Sequence, residues 1–437
     1  MLLSLLVFVS VLTVPAEPVL SNAVHASGRL EYGRPVTGSG FDAVTTPYRA
    51  YLASTVSETR SSLFASLSWS AFIADTFRAE TPLPHVDELV LQWFPLPFAG
   101  LRAGRLHRHT GFAEIFSPLD LFTGTDFERL TTGQFDGISL ARDMGELSLY
   151  GGVWNVTVTA AWDVPRITVP RTSAREFPDR YIPRTVDSRS TETVYELGSL
   201  SMSDIPESDR AVDTWGIEAG VSGWFWDLSV AAVSGVLPVP ATEARVLFPD
   251  GLLGPYDVEL HPVWIDGLVT GIAAQATAGA FRFWAETAYT GKMTVSVPYD
   301  GPGLVAVPAL QEDRDLLDVV AGVSYQSASP RGLLFLETRR EWLLGGNGDA
   351  FQTAFGFTDY AGFGAGLAWP DPGLEAHTLA LVSTTDYSGA LVASLSWEIT
   401  EKLSAAVTCG ALKGDESTIF GQLEWPLWVE VNTELRF

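Results

Sequence analysis

The chain has 437 residues, 46% of them hydrophobic and only 18% charged, which is too apolar a mixture for intrinsic disorder. Lys and Arg total 27 against 52 Asp and Glu, a net charge of -25; this excludes a general nucleic-acid binder, because phosphate contacts need clustered cations. A single cysteine, Cys409, excludes an internal disulfide and a thiolate metal cluster. The length would suit two or three soluble domains, and one large barrel suits it equally.

In chain order, the first element is the apolar run MLLSLLVFVSVLTV over residues 1–14, too short to cross a bilayer as a helix. Ala23 and Ala26 follow, with Ser21 and Val24 two places before them. A secretory signal peptide over 1–26 is the expectation, although no Lys or Arg precedes the apolar run. No cysteine stands near the cleavage site, so a lipid anchor is not expected. Beyond this segment no uninterrupted apolar window of about 18 residues occurs, so no helical membrane span is expected.

The rest of the chain is dominated by a period of two. Leu63, Ala65, Leu67, Trp69, Ala71 and Ile73 alternate with Phe64, Ser66, Ser68, Ser70 and Phe72; Trp215, Ile217, Ala219 and Val221 alternate with Thr214, Gly216, Glu218 and Gly220. Near the end, Leu391, Ala393, Leu395, Trp397 and Ile399 alternate with Ser394, Ser396, Glu398 and Thr400. Strict alternation places one set on each face of a strand. The pattern predicts strands at 28–34, 47–56, 62–74, 86–95, 98–107, 134–142, 146–162, 211–221, 223–234, 262–277, 280–290, 314–327, 331–343, 352–369, 374–384, 388–400, 402–412 and 423–437. Connections are short at 221–223, 278–279, 327–330, 370–373 and 400–401, and long at 108–133, 163–210, 235–261 and 291–313. Short and long connections largely take turns, with compact exceptions near Asp386 and Gly345–Asp349. The expected fold is therefore all-β, a transmembrane up-and-down antiparallel barrel of about 16–18 strands over 27–437. Cys409 falls on an apolar face with Leu403, Ala405, Val407 and Ala411, where it acts as a small hydrophobe.

The last strand carries the sharpest pattern. Leu427, Val429, Val431, Thr433, Leu435 and Phe437 share one face; Trp428, Glu430, Asn432, Glu434 and Arg436 share the other. A packed core would not accept that second face, whereas a watery lumen would. This strand resembles the terminal signal of bacterial outer-membrane proteins, and the resemblance implies that the barrel-assembly machinery reads Leu435 and Phe437. Trp69, Trp162, Trp342, Trp369, Trp397 and Tyr289, near strand ends, suit interfacial girdles.

A second resemblance lies in the Gly104-Arg105 strand and the segment Ser117-Pro118-Leu119-Asp120-Leu121-Phe122 that follows it. These residues are similar to a region of porin-like outer-membrane proteins, in which an Asn-Pro-x-Asp-Leu-Phe-like motif follows a Gly-rich loop. Ser117 replaces the usual Asn, and a His/Arg run replaces the usual strand-end aromatic. The resemblance covers roughly twenty residues and implies a loop that folds inward.

Candidate pore-lining residues follow from the alternation. Arg105 and His107 share a face that His109 continues, and on a luminal face they form a basic wall opposite Glu114, Asp120, Asp126 and Glu128; opposed charges at a constriction set ion preference. The plainer alternative is a solvated rim. Glu337, Arg339 and Glu341 share one face, as mutually neutralising luminal charges would. His107 and His109 have no third metal ligand beside them, so no metal and no cofactor is expected. Loop 163–210 bears Arg166, Arg171, Arg175, Arg180, Arg184 and Arg189 at near-regular spacing, offset by acids. No hydrolase or nucleotide-binding motif occurs.

The expected function is a channel for passive diffusion of small hydrophilic solutes, since barrels of this size leave an aqueous lumen. A surface adhesin or ligand-binding scaffold, and a barrel hydrolase, are the alternatives. The expected partners are outer-membrane lipids and lipopolysaccharide, the assembly machinery, small solutes and further copies of the chain, but no nucleic acid.

Overall fold

The computed structural model describes residues 19–32, 48–60, 63–72, 85–125, 139–162, 185–187, 194–202, 214–237, 241–247, 255–297, 310–328, 331–344, 359–369, 373–384, 387–414 and 427–436. Asp126, Glu128, Arg166, Arg171, Arg175, Arg180, Arg184, Arg189, Asp386 and Phe437 lie outside the described residues. The strands are β1 (Val19–Tyr32), β2 (Tyr48–Arg60), β3 (Leu63–Phe72), β4 (His85–Leu96), β5 (Ala99–Leu106), β6 (Gly124–Thr125), β7 (Ser139–Leu140), β8 (Arg142–Tyr150), β9 (Trp154–Ala161), β10 (Thr185–Asp187), β11 (Val194–Met202) and β12 (Thr214–Ser222). They continue with β13 (Trp226–Val236), β14 (Ala241–Leu247), β15 (Tyr256–Val263), β16 (Asp266–Ala278), β17 (Phe281–Val297), β18 (Leu310–Ala328), β19 (Arg331–Leu344), β20 (Tyr360–Trp369), β21 (Leu374–Ser383), β22 (Gly389–Thr400), β23 (Leu403–Lys413) and β24 (Leu427–Arg436).

An 18-stranded sheet holds all but β6, β7, β10, β11, β14 and β15. Its strands pair antiparallel with their neighbours in chain order. β1 faces β2 on one side (Val24↔Leu52) and β24 on the other (Val24↔Leu435), so the ladder returns on itself without a free edge. Closure matters physically, because an open edge would leave a row of unpaired amides in hydrocarbon. The remaining strands sit in the long connections: β6 pairs with β7, and β10, β11, β15 and β14 form a second sheet in which β11 and β15 run parallel.

Eighteen strands agree with the eighteen read from alternation, but one hairpin is placed differently. The stretch 146–162 is not one strand. Gly151, Gly152 and Val153 turn the chain between β8 and β9, with the Gly151 N–H donating to the Trp154 carbonyl at 2.7 Å. The expected strand at 134–142 shifts accordingly, to the second half of which β7 and the start of β8 belong. Two adjacent glycines break the pleat, and the exposed apolar set passes from odd positions (Leu147, Leu149) to even ones (Trp154, Val158) across them. At the other end of the chain, β1 begins at Val19, so residues 19–26 stand both in the barrel ladder and in the expected signal peptide.

The two faces separate cleanly. On β17, Phe281, Phe283 and Tyr289 are exposed while Trp284, Glu286 and Ala288 on the opposite face are buried. Leu334, Leu336, Trp342 and Leu344 of β19, Leu147 and Leu149 of β8, and Leu391, Leu395 and Trp397 of β22 continue the exposed apolar set. Cys409 is exposed on the same face as exposed Val407. This outward set forms an apolar belt, and Trp162, Trp342, Trp397 and Tyr289 are exposed within it.

Candidate channel constriction

The inner face is covered along part of its circumference by the segment between β5 and β6. Rather than extending outward, it lays its apolar side chains on inward-facing positions of the wall. Leu119 is 1% exposed and packs with Leu237, Ile265, Val269, Ala273 and Ala288. Phe122 packs with Val90, Leu106, Met144, Ala161 and Val233. Ile115 and Phe116 lie against Tyr360, Leu381, Ala390 and Leu412, and Ala113 against Trp284 and Val320. Each large side chain so removed from water contributes roughly 1.5–3 kcal/mol.

The wall makes room by omitting side chains. A Cβ on Gly271 of β16 would collide with Leu119 and one on Gly362 of β20 with Ile115; one on Gly216 of β12 would lie 2.8 Å from Phe122 Cζ. Within the segment, Gly111 turns the chain at a φ of +100°, and a Cβ there would sit 2.6 Å from the Glu286 carboxylate. Glycine is required on both counts.

Two buried carboxylates complete the attachment. Glu286 of β17 accepts the Phe112 N–H, the Ala113 N–H at 2.6 Å and the Ser117 hydroxyl at 2.5 Å. Glu337 of β19 accepts the Glu114 N–H at 2.7 Å and the Ile115 N–H at 3.1 Å, together with Trp284 Nε1 and the Tyr360 hydroxyl at 2.9 Å each. The Ser117 hydroxyl also accepts the Leu119 N–H at 3.1 Å, fixing the turn in the Ser-Pro-Leu-Asp motif. A buried anion without a counter-charge is costly unless its lone pairs are filled, and a hydrogen bond to a charged group contributes about 1.5–3 kcal/mol.

Other inner groups are paired with guanidinium groups. Glu146 of β8 receives Arg102 at 3.1 Å and Arg108, while Arg108 also reaches Glu218 of β12 at 2.6 Å. Arg108 stacks over the Phe122 ring at 5.4 Å, which ties this cluster to the inward segment. Arg282 of β17 bonds Glu114 at 2.5 Å, the Phe112 carbonyl at 2.8 Å and Gln275 at 2.8 Å, and Gln275 continues to Asp227 at 2.6 Å. Arg339 bonds Asp318 at 2.5 Å and Glu341 at 2.8 Å.

The structure rearranges the expected basic wall. Arg105 shares a face with exposed Leu101, and pairs with Asp143 at 3.0 Å on the face of exposed Leu147 and Leu149, so it points outward rather than into the lumen. His107 is exposed beyond the end of β5. The inward arginines are Arg102 and Arg108. Glu337 is likewise not neutralised by Arg339: its lone pairs are filled by the segment's N–H groups, while Arg339 and Glu341 do pair as expected. Glu114 and Asp120 both belong to the inward segment, Glu114 with Arg282 and Asp120 with Thr123 and His109. The Asp120 carboxylate, bonded to His109 Nδ1 at 3.3 Å, raises the His109 pKa above its usual value, with Glu286 adding a smaller push and burial opposing. Sequence reading missed Glu286, Arg282, Glu146 and Glu218; the inward parity of Glu286, opposite Phe281 and Phe283, was available as a signal.

No protein-family model matches the sequence, and no curated protein does. Among solved structures, OccAB1 of Acinetobacter baumannii is similar over 96% of this chain and 96% of its own, with a TM-score of 0.53 at 8% identity. OccK1 (OpdK) of Pseudomonas aeruginosa covers 96% and 98%, with a TM-score of 0.48 at 7% identity. OmpF of Salmonella typhi, solved with daunomycin, covers 96% and 97%, with a TM-score of 0.43 at 10% identity. At 8% identity the likeness to OccAB1 is one of fold: a porin-like, up-and-down antiparallel all-β barrel.

Proposed function

We propose that the protein is an outer-membrane channel for passive diffusion of small hydrophilic solutes. The observation that carries this reading is a polar, charge-bearing interior inside an edge-free barrel whose exterior is apolar. A wall of this strand number encloses an aqueous lumen, and the inward segment narrows it. Ion pairs such as Arg108–Glu218 and Arg282–Glu114 give solutes a polar path without a large uncompensated charge.

Purified protein in a planar bilayer should give discrete ion-conducting steps; a correctly folded barrel without steps overturns the reading. The same reading assigns the outer face to membrane lipid, and Leu435 with Phe437 to recognition by the assembly machinery. An export leader ending before Val19 leaves β1 whole, whereas cleavage at Ala23 or Ala26 removes part of its ladder with β2 and β24. N-terminal sequencing of the exported protein distinguishes the two.

A further inference from the structure

We infer that Glu286 and Glu337 are positioning residues that set the channel's size limit by holding the inward segment through its main chain. The inference rests on the channel reading and names the groups that fix its narrowest part. Four consecutive amides, Phe112 to Ile115, point at two carboxylates on the wall, and the Ser117 hydroxyl follows. Apart from the Ser117 hydroxyl, the carboxylates grip the main chain and not the segment's side chains. Glu114 shows the consequence: its N–H is held by Glu337 while its side chain is free to meet Arg282.

Two further features are independent of the carboxylates and point the same way, and a third orients one of the carboxylates. Gly216, Gly271 and Gly362 are spaced over β12, β16 and β20, and each is occupied by a side chain of the same segment. Arg282 Nη2 donates to the Phe112 carbonyl at 2.8 Å, so the main chain is held through both its donors and an acceptor. Trp284 and Tyr360 aim their own donors at Glu337, which keeps that carboxylate oriented toward the segment. The arrangement is a strap fastened to the wall along its length.

The carboxylate form is essential to the grip. At Glu337 each oxygen already faces two donors: Oε1 the Ile115 N–H and Tyr360 hydroxyl, Oε2 the Glu114 N–H and Trp284 Nε1. An amide in its place would turn an NH2 group onto two donors, with nearly unchanged volume. Proline at 113 or 115 removes a segment donor without touching the wall.

The test is a double-mutant cycle in which single-channel conductance and liposome swelling by sugars of graded size are read together. Heat-modifiable migration on gels confirms that each variant folds. The expected result is that Glu286→Gln/Glu337→Gln enlarges the conductance step and brings the swelling rate for a disaccharide toward that for a pentose. Ile115→Pro should give the same change, Ile115→Ala, which keeps the N–H, a smaller one, and Ile115→Pro combined with Glu337→Gln should add little to either. A folded double Gln variant with the native size limit overturns the inference. Additive effects of Ile115→Pro and Glu337→Gln also overturn it, because they would place the role of Glu337 in the wall alone. Absence of ion steps in the unsubstituted protein overturns the channel reading and this inference with it.

Discussion

Two stretches of the inner wall use acidic residues in opposite ways. On β5, β8 and β12, Glu146 and Glu218 meet guanidinium groups, so negative charge is answered by positive charge. On β17 and β19, Glu286 and Glu337 meet amide, hydroxyl and indole donors, so negative charge is answered by dipoles. An ion pair can be exchanged for water and salt as solutes pass, whereas a carboxylate filled by a main chain fixes that main chain in place. One wall balances its own charge; the other anchors what narrows the passage.

Either wall can be altered without the other. The largest effect is expected at the anchoring side from Gly271→Leu, which fills the seat of Leu119 with a side chain of equal size. The segment must then lift, and swelling assays should show faster entry of large sugars; an unchanged limit would mean that the seat does not hold the segment. Next is Glu146→Gln on the opposite wall, which leaves Arg102 and Arg108 with a weakened acceptor. Removing one partner of a buried pair costs about 3–5 kcal/mol, and Arg108 and Glu146 are 9% and 3% exposed. The zero-current potential in a salt gradient should move toward anion preference, with little change in size limit.

A smaller effect is expected from Arg282→Ala, whose pair with Glu114 is 33% and 28% exposed. Such a pair is partly screened, so the salt-gradient potential should move toward cation preference by less than the Glu146→Gln shift. The smallest is a pH effect at His109, which is 58% exposed. Its pKa is raised, so the charged pair with Asp120 is fully present below the ordinary imidazole value of 6.5 and is lost as pH rises through the higher folded value. Conductance should therefore drift modestly over a window that begins near 6.5 and extends upward, and His109→Gln should remove that drift. Arg105→Ala, on the outward face, should leave ion preference unchanged.

The barrel was legible because its signal is repeated in every strand. Alternation in segments such as Leu391–Ile399 reports both faces at once, and the number of strands came out as eighteen. The hairpin at Gly151-Gly152 was missed although a signal was present: the apolar set shifts from Leu147 and Leu149 to Trp154 and Val158, a change of parity that one continuous strand would not show. The inward fold of the segment was implied by a short resemblance, and Leu119 and Phe122 within that motif are the side chains that dock. The face of Arg105 was left conditional because its own strand offers little contrast between Leu101, Ala103 and Gly104; exposed Leu147 and Leu149 on the neighbouring strand place it outward. Glu286 was unreadable as an anchor because its partners are main-chain amides, which leave no trace in residue identity, and stand some 170 positions away.

On the proposed channel reading, residues 112–119 narrow a water-filled lumen. The most direct measurement is the sugar exclusion limit of the native protein in liposomes beside a chain in which 112–119 are replaced by two glycines, both checked for heat-modifiable folding. The account predicts that the native barrel discriminates between pentose and disaccharide and that the shortened one admits both at similar rates. Equal exclusion limits in two folded barrels would contradict it.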